Sequence, residues 1–205
     1  MNKLKYITLG LYILTSHAMA ELKVVQIYQQ EELIKWINNN EHLNRVVEDR
    51  CQLVQDIQAR AEVVANPAYQ FLWGDMLAWG VCIERDAELG LHFIQSAAMQ
   101  GLPPALEQLG RYYHKGILVQ PDMKRALEYL RESAVQGNLK AQLRLVDLFN
   151  QGYGSPLDYE SAYHWLHNAV IQDTKQHQAA QIALAKLSEK MPAKIVKRAK
   201  RPIAY

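Results

Sequence analysis

Residues 100–137, QGLPPALEQLGRYYHKGILVQPDMKRALEYLRESAVQG, read as two helices and the turns that separate them. Within Pro103–Lys115, Leu106, Leu109, Tyr112 and Tyr113 fall at i, i+3, i+6 and i+7, which makes one apolar face of a helix. Pro103 and Pro104 suit its start, because a first-turn N–H has no intrahelical partner to lose. Gly116 is placed to end it, since helices close readily on a residue that accepts positive φ. After the linker 117–121, Asp122 is a natural N-cap whose carboxylate takes N–H groups of the next turn. The second helix runs to about Gln136 with Ala126, Leu127, Tyr129, Leu130 and Ala134 inward, and Gly137 stops it.

The same punctuation recurs along the chain with a period of 36 residues: Gly80, Gly116 and Gly152; Asp86, Asp122 and Asp158; Gly101 and Gly137. Small residues repeat at Gly74 and Gly110 and at Gly90, Ala126 and Ala162, where they allow neighbouring helices to approach closely. Phe93, Tyr129 and Trp165 repeat beside them and read as core filling. A helix pair repeated in tandem predicts an all-α fold, a short right-handed α-solenoid with units at 66–101, 102–137 and 138–172. The third unit departs slightly, with Val146 where the others have glycine. Such arrays bury their core only between neighbours, so their ends need caps. Residues 173–189 predict a C-terminal capping helix with Ile182, Ala183 and Leu187 on its apolar side. Residues 21–65 lack the period and predict a mainly helical N-terminal cap. There, 22–28 alternates weakly as a short extended piece, 31–38 is helical, Asn38, Asn39 and Asn40 make a break, and one longer helix spans 49–65.

Residues 1–20 have the layout of an export signal. Lys3 and Lys5 precede an apolar run from Tyr6 to Leu14, and Ala18, Met19 and Ala20 form a small-x-small cleavage site before Glu21. That run is shorter than the roughly 20 residues needed to cross a bilayer. Between residues 21 and 189, 15 basic residues face 21 acidic ones, leaving six net negative charges. A basic tail, 190–205, follows, carrying Lys190, Lys194, Lys197, Arg198, Lys200 and Arg201 and no acidic residue. Both cysteines, Cys51 and Cys82, survive processing. In an oxidising compartment they read as one disulfide that staples the cap onto the first repeat, the alternative being two free buried thiols.

The chain holds no nucleophile elbow, no phosphate loop and no H-E-x-x-H zinc motif, so neither catalysis nor a cofactor is expected. His164 and His167, at i and i+3, could present two metal ligands with Asp158 and Glu160 nearby. They read more simply as surface histidines. The cations of the tail (Lys194, Lys197, Arg198, Lys200, Arg201) form a possible interaction segment for an acidic partner or an anionic envelope surface, the alternative being a simple disordered tail. Export argues against nucleic acid, and no small-molecule substrate is implied. Function is therefore expected on surfaces, through protein partners.

The residues Ala105-x3-Leu109-Gly110-x2-Tyr113-x2-Gly116, Asp122-x3-Ala126 and Ser133-Ala134-x-Gln136-Gly137 resemble the Sel1 family, a relative of the tetratricopeptide repeats. More specific stretches, DRCQLVQDI from Asp49, PAYQFLWGDMLAWGVC from Pro67, QGLPPALEQLGRYY from Gln100 and GSPLDYE from Gly154, are similar to a family of periplasmic components of sodium-driven polar flagellar motors. That resemblance implies a non-catalytic part in a periplasmic T ring on the flagellar basal body. Its partners would be a MotY-like T-ring protein and the periplasmic part of the stator B subunit, and it would meet the membrane only through them. The other reading is a different periplasmic adaptor of the Sel1 type.

Overall fold

In the computed structural model, which describes residues 26–202, the 36-residue period becomes a stack of helix hairpins. The expected export signal lies outside the described residues. The helices are α1 Gln30–Asn39, α2 His42–Glu48, α3 Val54–Glu62, α4 Pro67–Trp79, α5 Ala87–Met99, α6 Pro103–Lys115, α7 Met123–Val135, α8 Leu139–Asn150, α9 Tyr159–His167, α10 Thr174–Ser188 and α11 Ala193–Ala199. No strand occurs among the described residues. The pairs α4–α5, α6–α7 and α8–α9 are the three repeats, and α10 follows as a further first-type helix packed on α8.

Local chemistry sets the ends of these helices. Asn66 Oδ1 accepts from the N–H groups of Ala68 and Tyr69 at 3.0 and 3.3 Å, and Asn138 Oδ1 accepts from Ala141 at 3.0 Å. Leu102 stands at the same place before α6 and caps nothing, but Pro103 and Pro104 have no N–H to satisfy. Asp86 and Asp122 cap α5 and α7, accepting from Leu89 and Arg125 at 2.9 and 3.0 Å. Asp158 breaks the pattern. It closes a 3-10 turn, Pro156–Asp158, opened by Ser155, and its carboxylate pairs with Arg131 instead of capping α9.

Close approach explains the paired glycines. A methyl group on Gly90 would lie 2.6 Å from the carbonyl oxygen of Gly74, and one on Gly74 would lie 2.7 Å from that of Gly90. In the third repeat Val146 is fully buried, and α8 and α9 pack less intimately than the earlier pairs. Phe93, Tyr129 and Trp165 are only partly buried, at the margins of the core. Each comes from an outer helix that turns one flank to solvent, so the expected core filling is confined to one side of each ring. Tyr129 stacks on Tyr113 with ring centres 5.8 Å apart. The deepest positions belong instead to Leu33, Ile57, Tyr69, Phe71, Leu72, Met76, Ile94, Leu106, Leu109 and Tyr112 in one cluster. Leu130, Leu145, Val146, Phe149, Leu166 and Leu187 centre a second one.

The N-terminal cap differs from the single helix expected over 49–65. Arg50 and Cys51 have φ of 53° and 58°, a left-handed conformation that cannot continue a right-handed helix. The chain therefore breaks between α2 and α3, which brings the Cα of Cys51 within 5.6 Å of that of Cys82 and lets the two form a disulfide. Cys51 thus sits in the break and does not open a helix. Tyr28 holds the start of the cap: its hydroxyl donates to Asp49 at 2.9 Å while its carbonyl accepts from the Tyr69 hydroxyl at 2.6 Å. Burial, then Asp49, pushes the Tyr28 phenol well above its usual range.

The C-terminal end also departs from expectation in two places. Ile182 is 64% exposed; α10 packs through Ala180, Leu184 and Leu187, the set one helical face apart. The basic tail is partly folded, because α11 docks against α9 and buries Ala199. Lys190 donates from Nζ to the carbonyls of Phe149 and Asn150 at 3.1 and 2.7 Å, which places a cation at the negative end of α8.

Candidate functional site

The first helices of the repeats, α4, α6 and α8, form one face of the stack, and α2 borders it. Between them lies a groove of about 390 Å³ lined by Asn40, His42, Leu43, Asp75, Trp79, Glu107, Gln108, Arg111, Tyr112, Lys140 and Arg144. At its floor Asp75, almost fully buried, has Oδ2 2.8 Å from His42 Nε2, and its Oδ1 accepts from Gln108 Nε2 at 2.5 Å. Gln108 Nε2 also lies 3.0 Å from the Tyr112 hydroxyl, and its own oxygen accepts from Arg111 at 3.2 Å. Buried polar groups must be partnered to be tolerated, and this chain of bonds ties α2, α4 and α6 together. Burial, with Asp75 beside it, raises the Tyr112 phenol above its usual range.

The groove's cations are held differently from one another. Arg144 pairs with Glu107 at 3.0 Å. Lys140 donates to the Asn40 side-chain oxygen at 2.9 Å, and Arg111 lies over the Tyr112 ring at 4.8 Å. Burial pulls the Lys140 ammonium below its usual value; Glu107 opposes this, while Arg111 and Arg144 reinforce it. Such an array offers hydrogen bonds and positive charge to a ligand. It contains no nucleophile paired with a base.

The histidines named from sequence are not brought together as ligands. His164 Nδ1 is bonded to the Ala199 carbonyl at 3.0 Å, Glu160 is taken by Arg198 in a two-bond ion pair, and Asp158 by Arg131. Among the described residues no group of three or more His, Cys, Asp and Glu is placed to hold a metal ion. His167 is lowered from its usual value by burial and by the nearby Lys200. Of the tail cations, Arg198 is thus engaged within the fold. Lys194, Lys197, Lys200 and Arg201 form no ion pair among the described residues. The groove was not legible in the sequence, because its residues come from elements about one repeat apart. The only signal was periodic: Gln108 and Arg144 occupy the same position in successive units, as do Asp75 and Arg111.

The family model for the Sel1 repeat matches residues 67–102, 103–138 and 139–173, more than half of the chain. The chain belongs to the Sel1 repeat family. Two solved Sel1-type solenoids share its fold. A Sel1 repeat protein from Oxalobacter formigenes aligns with TM-score 0.51 and 22% identity over 72% of this chain and 96% of its own. The protective antigen c5321 of uropathogenic Escherichia coli, with the same repeat fold, aligns with TM-score 0.54 and 19% identity, over 83% of this chain and 35% of its own. At those identities they speak to the Sel1 architecture alone. A nearer relative is the sodium-type polar flagellar protein MotX of Vibrio parahaemolyticus serotype O3:K6 (strain RIMD 2210633), 64% identical over 89 residues. That match covers 43% of this Sel1 chain and 42% of the relative, so it spans about two fifths of the curated protein's length. No helix among the described residues is long and apolar enough to cross a membrane.

Proposed function

We propose that the protein is a non-catalytic interaction component of a sodium-type polar flagellar motor, acting in the periplasm at the basal body. The observation that carries this is the 64% identity over 89 residues to MotX, a level far above that of the Sel1 solenoids that share only the fold. Residues 1–20 serve as the export signal in this reading, and the mature chain works as a solenoid clamped at its N-terminal end by the Cys51–Cys82 bridge. A disulfide suits an exported protein and not a cytosolic one.

Within the motor, the protein joins a MotY-like protein in the T ring and helps to seat the stator around the rotor, meeting the periplasmic part of the stator B subunit. Its contribution is surface and rigidity. The free cations of the tail, Lys194, Lys197, Lys200 and Arg201, form one contact, while Arg198 keeps α11 on α9. Sodium passes through the stator, and no ion need bind this chain. The test is a clean deletion in the host bacterium. Swimming should be lost while the flagellar filament still assembles, and a wild-type copy should restore it. Normal swimming in the deletion strain would rule out the motor role.

A further inference from the structure

The groove between α4, α6 and α8 contains two cations that form no ion pair with its own carboxylates. Asp75 is occupied by His42 and Gln108, and Glu107 by Arg144. Arg111 and Lys140 have no carboxylate within 4.0 Å among the described residues; each is positioned by an amide oxygen, from Gln108 and Asn40. An amide oxygen orients a cation without neutralising it. Burial lowers the Lys140 ammonium, Glu107 opposes this, and the like charges Arg111 and Arg144 add to it, so these groups share one field. Trp79, 47% exposed at the end of α4, gives the same groove an apolar wall.

We propose that this groove docks an acidic peptide segment of a partner protein, with Arg111 and Lys140 taking its carboxylate and the Trp79 indole covering the adjoining chain. Charge complementarity selects this occupant. From residue 21 onward 21 basic residues balance 21 acidic ones, so no net charge draws a polyanion or an anionic membrane to the chain at long range. A short acidic segment reaches two local cations within the Debye length of about 8 Å, a range over which their attraction survives physiological salt. The guanidinium fork of Arg111 suits the planar, two-oxygen geometry of a carboxylate. Docking would also give the anion a place beside a rigid floor already cross-linked by Asp75, Gln108 and Tyr112, so little ordering is needed on this side. The groove's charge pattern does not depend on which assembly the chain joins.

The test is an NMR titration of the purified protein, following the Trp79 indole N–H and the Arg111 Nε–H. The probe is an acetylated and amidated hexapeptide of alternating aspartate and glutamate. Saturable shifts of both resonances at millimolar peptide are expected, weakening as salt rises. Arg111→Gln or Lys140→Gln should each weaken binding about tenfold, the scale of one lost charge pair. The thermal midpoint should stay near that of the parent, and Arg111→Lys should retain part of the affinity. If a substitution perturbs folding, the salt dependence of the parent protein still decides. Equal shifts with the asparagine–glutamine hexapeptide would overturn the proposal. So would shifts confined to the tail cations, shifts only with inorganic phosphate, or binding only when the peptide has a free C-terminus. Because binding is read in isolation, its failure leaves the motility test standing, and a swimming deletion strain leaves the groove standing.

Discussion

Removing the Cys51–Cys82 bridge is the sharpest structural perturbation available. The two cysteines are separated by 31 residues, and cross-linking a loop of that length removes about 3–4 kcal/mol of conformational entropy from the unfolded chain. For a domain of this size each kcal/mol moves the thermal midpoint by about 2–4 °C. The double substitution Cys51→Ala with Cys82→Ala should therefore lower the midpoint by about 6–16 °C. Alanine keeps the positive φ of both sites, 58° and 63°, unfavourable in the variant as in the parent, so the loss reports the cross-link and not backbone relief. The effect should be polar along the stack. Amide protection should fall first in α1 to α4, whose apolar side chains share one cluster with Ile57 and Tyr69, and least in α10 and α11. Circular dichroism melts of parent, reduced parent and double variant provide the assay. A midpoint within about 2 °C of the parent for both would refute the stapling argument.

Three further outcomes follow from named positions. Ala65, with φ of 52°, stands where the next units have Gly101 and Gly137; Ala65→Gly should raise stability by about 0.5–1 kcal/mol in a denaturant titration, left-handed relief outweighing the added chain entropy. Gly90→Ala places a methyl 2.6 Å from the Gly74 carbonyl and should cost about 1–3 kcal/mol in the same measurement, although alanine is the better helix former. Glu160 is held below its ordinary value of 4.5 by its bonds to Arg198. Its folded value is lower than its unfolded one, so the stabilisation of α11 is present above the unfolded value and is lost as pH falls through the folded one. Hydrogen exchange over 193–199, corrected for intrinsic rates, should accelerate on acidification through that range, and Glu160→Gln should show no such step.

The fold was legible because its information is local and repeated. Gly80 and Gly116 take the left-handed helix ends the period demanded, with φ of 70° in both, and Asp86 and Asp122 take the caps. The places where the reading failed are those where a tertiary contact overrules the local signal. Asp158 exchanges its cap for Arg131, a partner that only the fold brings near. Residues 49–53 carry helix-compatible side chains, yet the bridge to Cys82 and left-handed Arg50 and Cys51 interrupt the helix there. Ala65 conceals the start of the repeat geometry one unit early, because it adopts glycine's conformation without being glycine. Much of the tail became ordered for the same reason, through Lys190 on the end of α8 and Arg198 on Glu160. The groove lay furthest from view. Asp75 and Gln108 meet across 33 residues, and neither carries a motif that announces the other.

The motor assignment is tested most directly by isolating flagellar basal bodies from the host bacterium and probing them for this chain. A motor component should co-purify with the basal body and stay with the complex through washing. Recovery of the protein solely in the soluble periplasmic fraction, with basal bodies free of it, would refute the motor assignment.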